Sequence, residues 1–82
     1  MNGVDEVRFL ILNMACCLVD HPEAVRVDPI EQQNGIHYRL TVAPGDIGKI
    51  IGKQGRTARS IRTILAAAGM KLHRKHSLDI VE

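Results

Sequence analysis

Near the start of the chain, apolar residues recur at helical spacing. Val7, Leu10, Ile11, Met14 and Leu18 form one stripe, and Phe9, Leu12 and Cys16 form a second on another face. The spacing predicts a helix over residues 4–19. A helix this apolar around its circumference has to be covered on more than one side, by a tight monomeric core or by a subunit contact. Asp20-His21-Pro22-Glu23 reads as a turn, because Pro22 stops the helix.

The period then shifts from helical to alternating. Val25 and Val27 alternate with Arg26 and Asp28, which predicts a strand. Pro29 cannot donate to a ladder and puts that strand at a sheet edge or a bulge. Asn34-Gly35 is a tight-turn signal. Ile36, Tyr38, Leu40 and Val42 then alternate with His37, Arg39 and Thr41, giving a half-buried strand antiparallel to the first. Ala43-Pro44-Gly45 breaks it, and Asp46 is placed to cap a short helix through Ile47, Ile50 and Ile51. After Gly52 and Gly55, a longer helix is expected from Arg56 to about Ala68. Ala58, Ile61, Ile64 and Leu65 would point inward, and Gly69 would end it. Leu78 and Ile80 alternate with Ser77, Asp79 and Val81, so a strand follows, which Leu72 could extend.

The order is helix, strand, strand, helix, helix, strand. A helical crossover makes the second and third strands parallel. The fold class is therefore α+β, with a three-stranded mixed sheet and helices packed on one face. The 82 residues show no internal repeat or linker and read as one domain, 1–82.

Composition agrees with a packed domain, at 45% apolar and 24% charged. The net charge of +2 conceals a polarised chain. Residues 1–46 hold three basic and seven acidic residues, whereas residues 47–78 hold eight basic ones and no acid. Such a segment is either an anion-binding surface or a solvated helix face.

Several function classes fall away. Adjacent Cys16 and Cys17 fit neither a zinc site nor a disulfide framework, and read as small buried hydrophobes in a reducing compartment. Asp5 and Glu6 stand where a signal peptide needs basic residues. The apolar run 9–19 is interrupted by Asn13 and is shorter than the ~20 residues a bilayer span takes, so a cytoplasmic protein without a membrane partner is expected. His73 and His76 would fall on opposite faces of a strand, with no partner ligand near in sequence; no metal or cofactor is expected. Gly48–Gly55 is not a P-loop, since Lys53 follows Gly52 directly and precedes Gln54. No Ser/His/Asp or Cys/His set suggests a nucleophile, so neither an enzyme nor a small-molecule substrate is expected.

The chemistry concentrates in Gly52-Lys53-Gln54-Gly55, between the two later helices. Two glycines remove side chains from both shoulders of a turn, so a sugar-phosphate strand can approach the backbone. The amides entering the second helix, and its positive end, favour anions. Lys53 adds charge at the tip, with Lys49, Arg56 and Arg59 flanking it. Ile47, Ile50 and Ile51 supply core, groove wall or both. The bland alternative is a helix–helix turn without a ligand.

With these residues in place, the segment resembles the KH motif, an Ile-Gly-x-x-Gly stretch between two helices. The element order resembles the type II KH arrangement. The likeness is closest to the small stand-alone bacterial KH proteins of the KhpA (YlqC) family, and it covers nearly the whole chain. Val42-Ala43-Pro44, Ile51-Gly52-Lys53-Gln54-Gly55-Arg56, Ile61-Arg62-Thr63 and Asp79-Ile80-Val81 carry it. The resemblance implies binding of about four nucleotides of single-stranded RNA or DNA. Gly52, Lys53, Gln54 and Gly55 would clamp the backbone, with the bases in an aliphatic groove to which Ile50 and Ile51 contribute. Ala58 departs from the larger aliphatic residue of many KH domains, which implies a thinner wall and weaker base preference. The resemblance also implies a homodimer, or a heterodimer with a second KH-containing RNA-binding protein, and a role as RNA chaperone or post-transcriptional regulator. One Phe, one Tyr and no Trp rule out a surface that stacks bases on aromatics.

Two other readings compete. A helix-turn-helix would set Arg56, Arg59 and Arg62 in a DNA major groove. Strand signals on both sides speak against it, as does a groove expected to be too apolar and too short of hydrogen-bonding side chains to read bases. A protein-interaction module would instead use the apolar first helix for dimerisation, with weak nucleic-acid binding.

Overall fold

The computed structural model describes residues 3–82; Met1 and Asn2 of the expected 1–82 domain lie outside the described residues. Six main elements follow in chain order: helix α1 (Gly3–Leu18), strands β1 (Arg26–Gln32) and β2 (Gly35–Thr41), helices α2 (Ile47–Ile51) and α3 (Arg56–Leu72), and strand β3 (Lys75–Ile80). The strands form one sheet in the order β1-β2-β3. β1 pairs antiparallel with β2, and β2 parallel with β3. The α+β class, the mixed sheet and the helices packed on it match the pattern of the sequence.

The core lies between the sheet and the helices. Ile36, Tyr38 and Leu40 of β2 alternate inward and meet Val7, Ile11 and Ala15 of α1 and Ile61 and Leu65 of α3. Fully burying a side chain such as Ile11, Leu40, Ile50 or Leu65 is worth about 1.5–3 kcal/mol. α1 is tied to the sheet by a hydrogen bond from Arg8 Nε to the carbonyl of Val27, 2.9 Å long. Pro29 sits opposite Tyr38 in β1, an outer strand, where its missing amide costs no ladder bond on the free side.

Several details differ from expectation. The hairpin turn is Gln33-Asn34, and Gly35 opens β2 instead of completing the turn. A side chain at Gly35 would collide with the Lys75 carbonyl of the neighbouring parallel strand, so this glycine serves close strand approach. α3 runs through Gly69 to Leu72, which therefore belongs to the helix and not to the last strand. Gly69 is buried because the chain folds back across it. A Cβ there would meet the Arg74 carbonyl and lie 3.1 Å from Nδ1 of His76. The left-handed C-cap is His73 (φ 58°, ψ 34°). β3 accordingly starts earlier than expected, and His76 is buried in it, stacked on Tyr38 at 5.6 Å between centroids.

Burial also corrects two sequence readings, for the cysteines and for Ile64. Cys17 is exposed and Cys16 only partly buried. Ile64 is 43% exposed, because the inward stripe of α3 passes through Ala58, Ile61, Leu65 and Gly69. Phe9, Leu10 and Leu18 of α1 are exposed, so the second apolar face of this helix is not covered within the chain. Among the described residues, no helix is long and apolar enough to cross a membrane.

Candidate nucleic-acid interface

α2 is only five residues long, and its last turn ends with the Gly52 amide donating to the Gly48 carbonyl at 2.9 Å. Gly52 then adopts φ 77°, ψ 173°, a region open essentially to glycine alone. Lys53–Gly55 forms one tight turn, closed by the Gly55 amide on the Gly52 carbonyl at 3.1 Å. Within it Gln54 is left-handed (φ 58°, ψ 27°), and Gly55 is left-handed at the start of α3 (φ 74°, ψ 12°). A non-glycine residue held left-handed at the tip of a loop is strain that the surroundings have to enforce.

The two glycines serve different ends. A Cβ on Gly52 would press into Thr57, 2.9 Å from its backbone nitrogen, so its absence lets the loop fold onto the first turn of α3. A Cβ on Gly55 would meet nothing within 4 Å, so that shoulder of the loop is open to solvent. No side chain caps the N-terminus of α3, a 17-residue helix. Its positive end therefore faces outward beside the loop.

The expected cationic residues divide into two groups. Lys53, Arg56 and Arg59 are exposed, and no ion pair among the described residues engages them. Lys49 instead lies 3.1 Å from Asp20 and 3.2 Å from Asp46. Its hydrogen bonds to Asp20 and then Asp46 hold the ammonium above its ordinary pKa, against the opposing effect of burial. Arg74 is likewise paired, with Glu31 at 3.1 Å. A segment free of acids in sequence is thus partly neutralised in space by carboxylates from the N-terminal half.

Asp46 does not cap α2. Its backbone is helical (φ −101°, ψ −5°), and its side chain turns to the His21 amide at 3.0 Å and to Lys49. The carboxylate is buried. Burial pushes its pKa up, but the amides of His21 and Asp20 together with Lys49 outweigh that and hold it below its ordinary value. Asp46 thereby latches the approach to α2 onto the turn after α1.

The two isoleucines before the loop also divide. Ile50 is fully buried in the core, whereas Ile51 is half-buried and faces a groove of about 280 Å³. Ala58 and Ile80 form the rest of its apolar wall, and Gly55 closes the loop end. Arg62, Asp79 and Glu82 complete the lining. The groove is therefore not the aliphatic cleft expected, since three hydrogen-bonding side chains line it. The sequence places Arg62 and Asp79 in family motifs without a binding role, and nothing in it singles out Glu82. Only the pairing of β3 beside β2, with α3 across it, brings the three together.

A second groove, of about 420 Å³, runs between α1 and α3. Met14, Cys17, Leu18, Ile61 and Ile64 give it an apolar lining.

The chain has relatives among known proteins. The family model described as KhpA/KhpB, KH domain, matches residues 8–80. The "RNA-binding protein KhpA" of Halalkalibacterium halodurans is 43% identical over 76 residues, covering 93% of this chain and 100% of the relative. The protein of the same name from Listeria monocytogenes is 47% identical over 73 residues, 89% of this chain and 96% of the relative. That of Chlamydia muridarum is 52% identical over 65 residues, 79% and 83% respectively. With the family model matched over residues 8–80 and relatives of 43–52% identity covered over most of their length, the chain belongs to the KhpA/KhpB family of KH domains.

Proposed function

We propose that this chain binds short single-stranded RNA, about four nucleotides per domain, with Gly52, Lys53, Gln54 and Gly55 clamping the sugar-phosphate backbone. The observation that carries the reading is the loop itself. It has no Cβ at either shoulder and a left-handed Gln54 between them, and it enters a helix N-terminus that no side chain caps. Lys53, Arg56 and Arg59 supply unpaired positive charge around it. Ile51, Ala58 and Ile80 offer apolar surface to the bases, while Ile50 supports the loop from the core. Lys49 has a secondary part, since two carboxylates compete with phosphate for it. The relatives are named as RNA-binding proteins, which supports a binding role. The biological setting is the cytoplasm, with the chain acting as an RNA chaperone or post-transcriptional regulator.

The apolar groove between α1 and α3 supports a dimer as the working form, either with a second copy or with another KH-containing RNA-binding protein. Exposed Leu18 and Ile64 at this groove are the residues a partner would cover. One short clamp gives modest affinity, and pairing two domains raises it through effective concentration.

The test is competition between nucleic acids. A fluorescent single-stranded RNA octamer should be displaced by unlabelled single strands and not by duplex DNA of equal length. Preferential displacement by the duplex would favour the helix-turn-helix reading instead.

A further inference from the structure

The end of the sheet away from the loop holds two buried polar groups that are not satisfied. His76 is 6% exposed, and its ring is stacked on that of fully buried Tyr38. His76 Nδ1 lies 2.9 Å from the Arg74 carbonyl. A carbonyl only accepts, so Nδ1 carries the proton, and Nε2 of the neutral ring is a bare acceptor. Neither Nε2 nor the Tyr38 hydroxyl has a hydrogen-bond partner among the described residues. Leaving such groups unpaired is costly, and their presence calls for a reason. His76 also forms part of the wall of a pocket of about 340 Å³, a size that small-molecule sites have. Val4 of α1, Ile36 of β2 and Leu72 at the end of α3 give this pocket apolar walls. Arg74 and Glu31 line it as an ion pair, 3.1 Å apart. It lies at the C-terminal end of α3, whereas the Gly52–Gly55 loop leads into the N-terminal end, about 25 Å away along a 17-residue helix. The pocket is therefore separate from the candidate RNA interface.

We propose that this pocket binds a guanine base, carried by a free nucleotide or by RNA. The ring is flat and packs between the aliphatic side chains. Its O6 and N7 accept side by side and match the paired donors of the Arg74 guanidinium. Its ring N–H and amino group donate side by side on the adjoining edge. They match the two oxygens of Glu31, which stands next to Arg74. The second amino hydrogen is left for His76 and gives the buried Nε2 its donor. Nε2 lies just beneath the pocket surface, so the ring rocks about its Nδ1 bond to meet the base. Adenine reverses the pattern. It sets an amino donor where guanine has O6, against the guanidinium, and turns a bare ring nitrogen toward Glu31, an acceptor against an acceptor.

The test is titration of the isotope-labelled chain with guanosine monophosphate and with adenosine monophosphate, followed by proton–nitrogen correlation spectra. The guanine nucleotide should move the amide signals of Ile36, Leu72, Arg74 and His76, and should bind on the order of tenfold more tightly than the adenine nucleotide. In the His76 ring the Nε2 resonance should move while Nδ1 keeps its proton. Glu31→Gln, at an exposed position, should bring the two affinities together, since an amide can turn either its donor or its acceptor to the base. An octamer of uracils carrying one guanine separates the sources. Pocket signals that answer to the free nucleotide support a nucleotide ligand, and pocket signals that answer only to the octamer support guanine within RNA. Shifts confined to residues 52–56 would overturn this inference and leave the RNA-binding reading intact. Equal affinity of the wild type for the two nucleotides would overturn the assignment to guanine, and an unmoved Nε2 would remove His76 from the site.

Discussion

Gly52 packs against Thr57 so closely that a methyl group on Gly52 would lie 2.6 Å from the Thr57 Cβ. That contact folds the loop onto α3, and the Gly52 backbone reinforces it by occupying a region that side chains exclude. Gly55, by contrast, faces open space and needs only a left-handed backbone. Gly52→Ala is therefore expected to cost roughly 2–5 kcal/mol, from strain and overpacking together. Gly55→Ala should cost about 1–2 kcal/mol, from its backbone alone. Urea unfolding of the two variants measures the gap, and equal losses would mean that the Thr57 contact is unimportant.

Lys49 gives a less obvious prediction. It is held by Asp20, which is 71% exposed at its side chain, and by buried Asp46. Asp20→Asn should leave the fold intact and release Lys49 toward the phosphates. RNA binding should then tighten at low salt, and its slope against log salt should steepen by about 0.7, as expected for one more contact to a single strand. An unchanged slope would show that Lys49 points away from the bound strand.

Asp46 links the fold to pH. Its folded pKa lies below the ordinary value of 3.8. The stability it contributes is therefore fully present above that value. It is lost as the pH falls through the lower folded value, where the native carboxylate takes up its proton. Asp46→Asn should lower stability at pH 7 and flatten the acid limb below about pH 4. Thermal unfolding of both proteins from pH 7 to pH 2 checks this. Parallel acid limbs would mean that other carboxylates account for the loss.

The apolar groove predicts an assembly state. Ile64→Glu places a charge on an exposed residue of this groove, outside the inward stripe of α3. The variant should keep the circular dichroism spectrum of the wild type and sediment as a monomer under conditions where the wild type is a dimer. A variant that still dimerises would move the interface elsewhere.

The alternation of Ile36, Tyr38 and Leu40 and the apolar period of α1 carry the topology, because they are local signals reinforced by burial. Pro29 limited its strand to a sheet edge or a bulge, and the strand lies at the edge. Long-range contacts were harder to read. Gly35 looked like a turn glycine, yet it is required by Lys75 of a strand 40 residues away, and Gly69 looked like a cap glycine, yet it lies inside α3 under the returning Arg74–His76 backbone. Asp46 has the composition of a helix cap but satisfies an amide 25 residues away. In the candidate site, Gly52-Lys53-Gln54-Gly55 was legible because its elements are contiguous. The pairing of Lys49 with Asp20, and the meeting of Arg62 with Asp79 and Glu82, depend on the tertiary fold and left no local signature.

The central claim is that Gly52-Lys53-Gln54-Gly55 holds RNA. The most direct measurement is titration of a short fluorescent single-stranded RNA with the wild type and with Lys53→Asp, Gln54→Asp, both exposed at the loop tip. Circular dichroism alongside verifies that the variant is folded. The wild type should bind and the folded variant should not. Equal binding by both, or no binding by the wild type to any single strand, would contradict it and leave the loop as a structural turn.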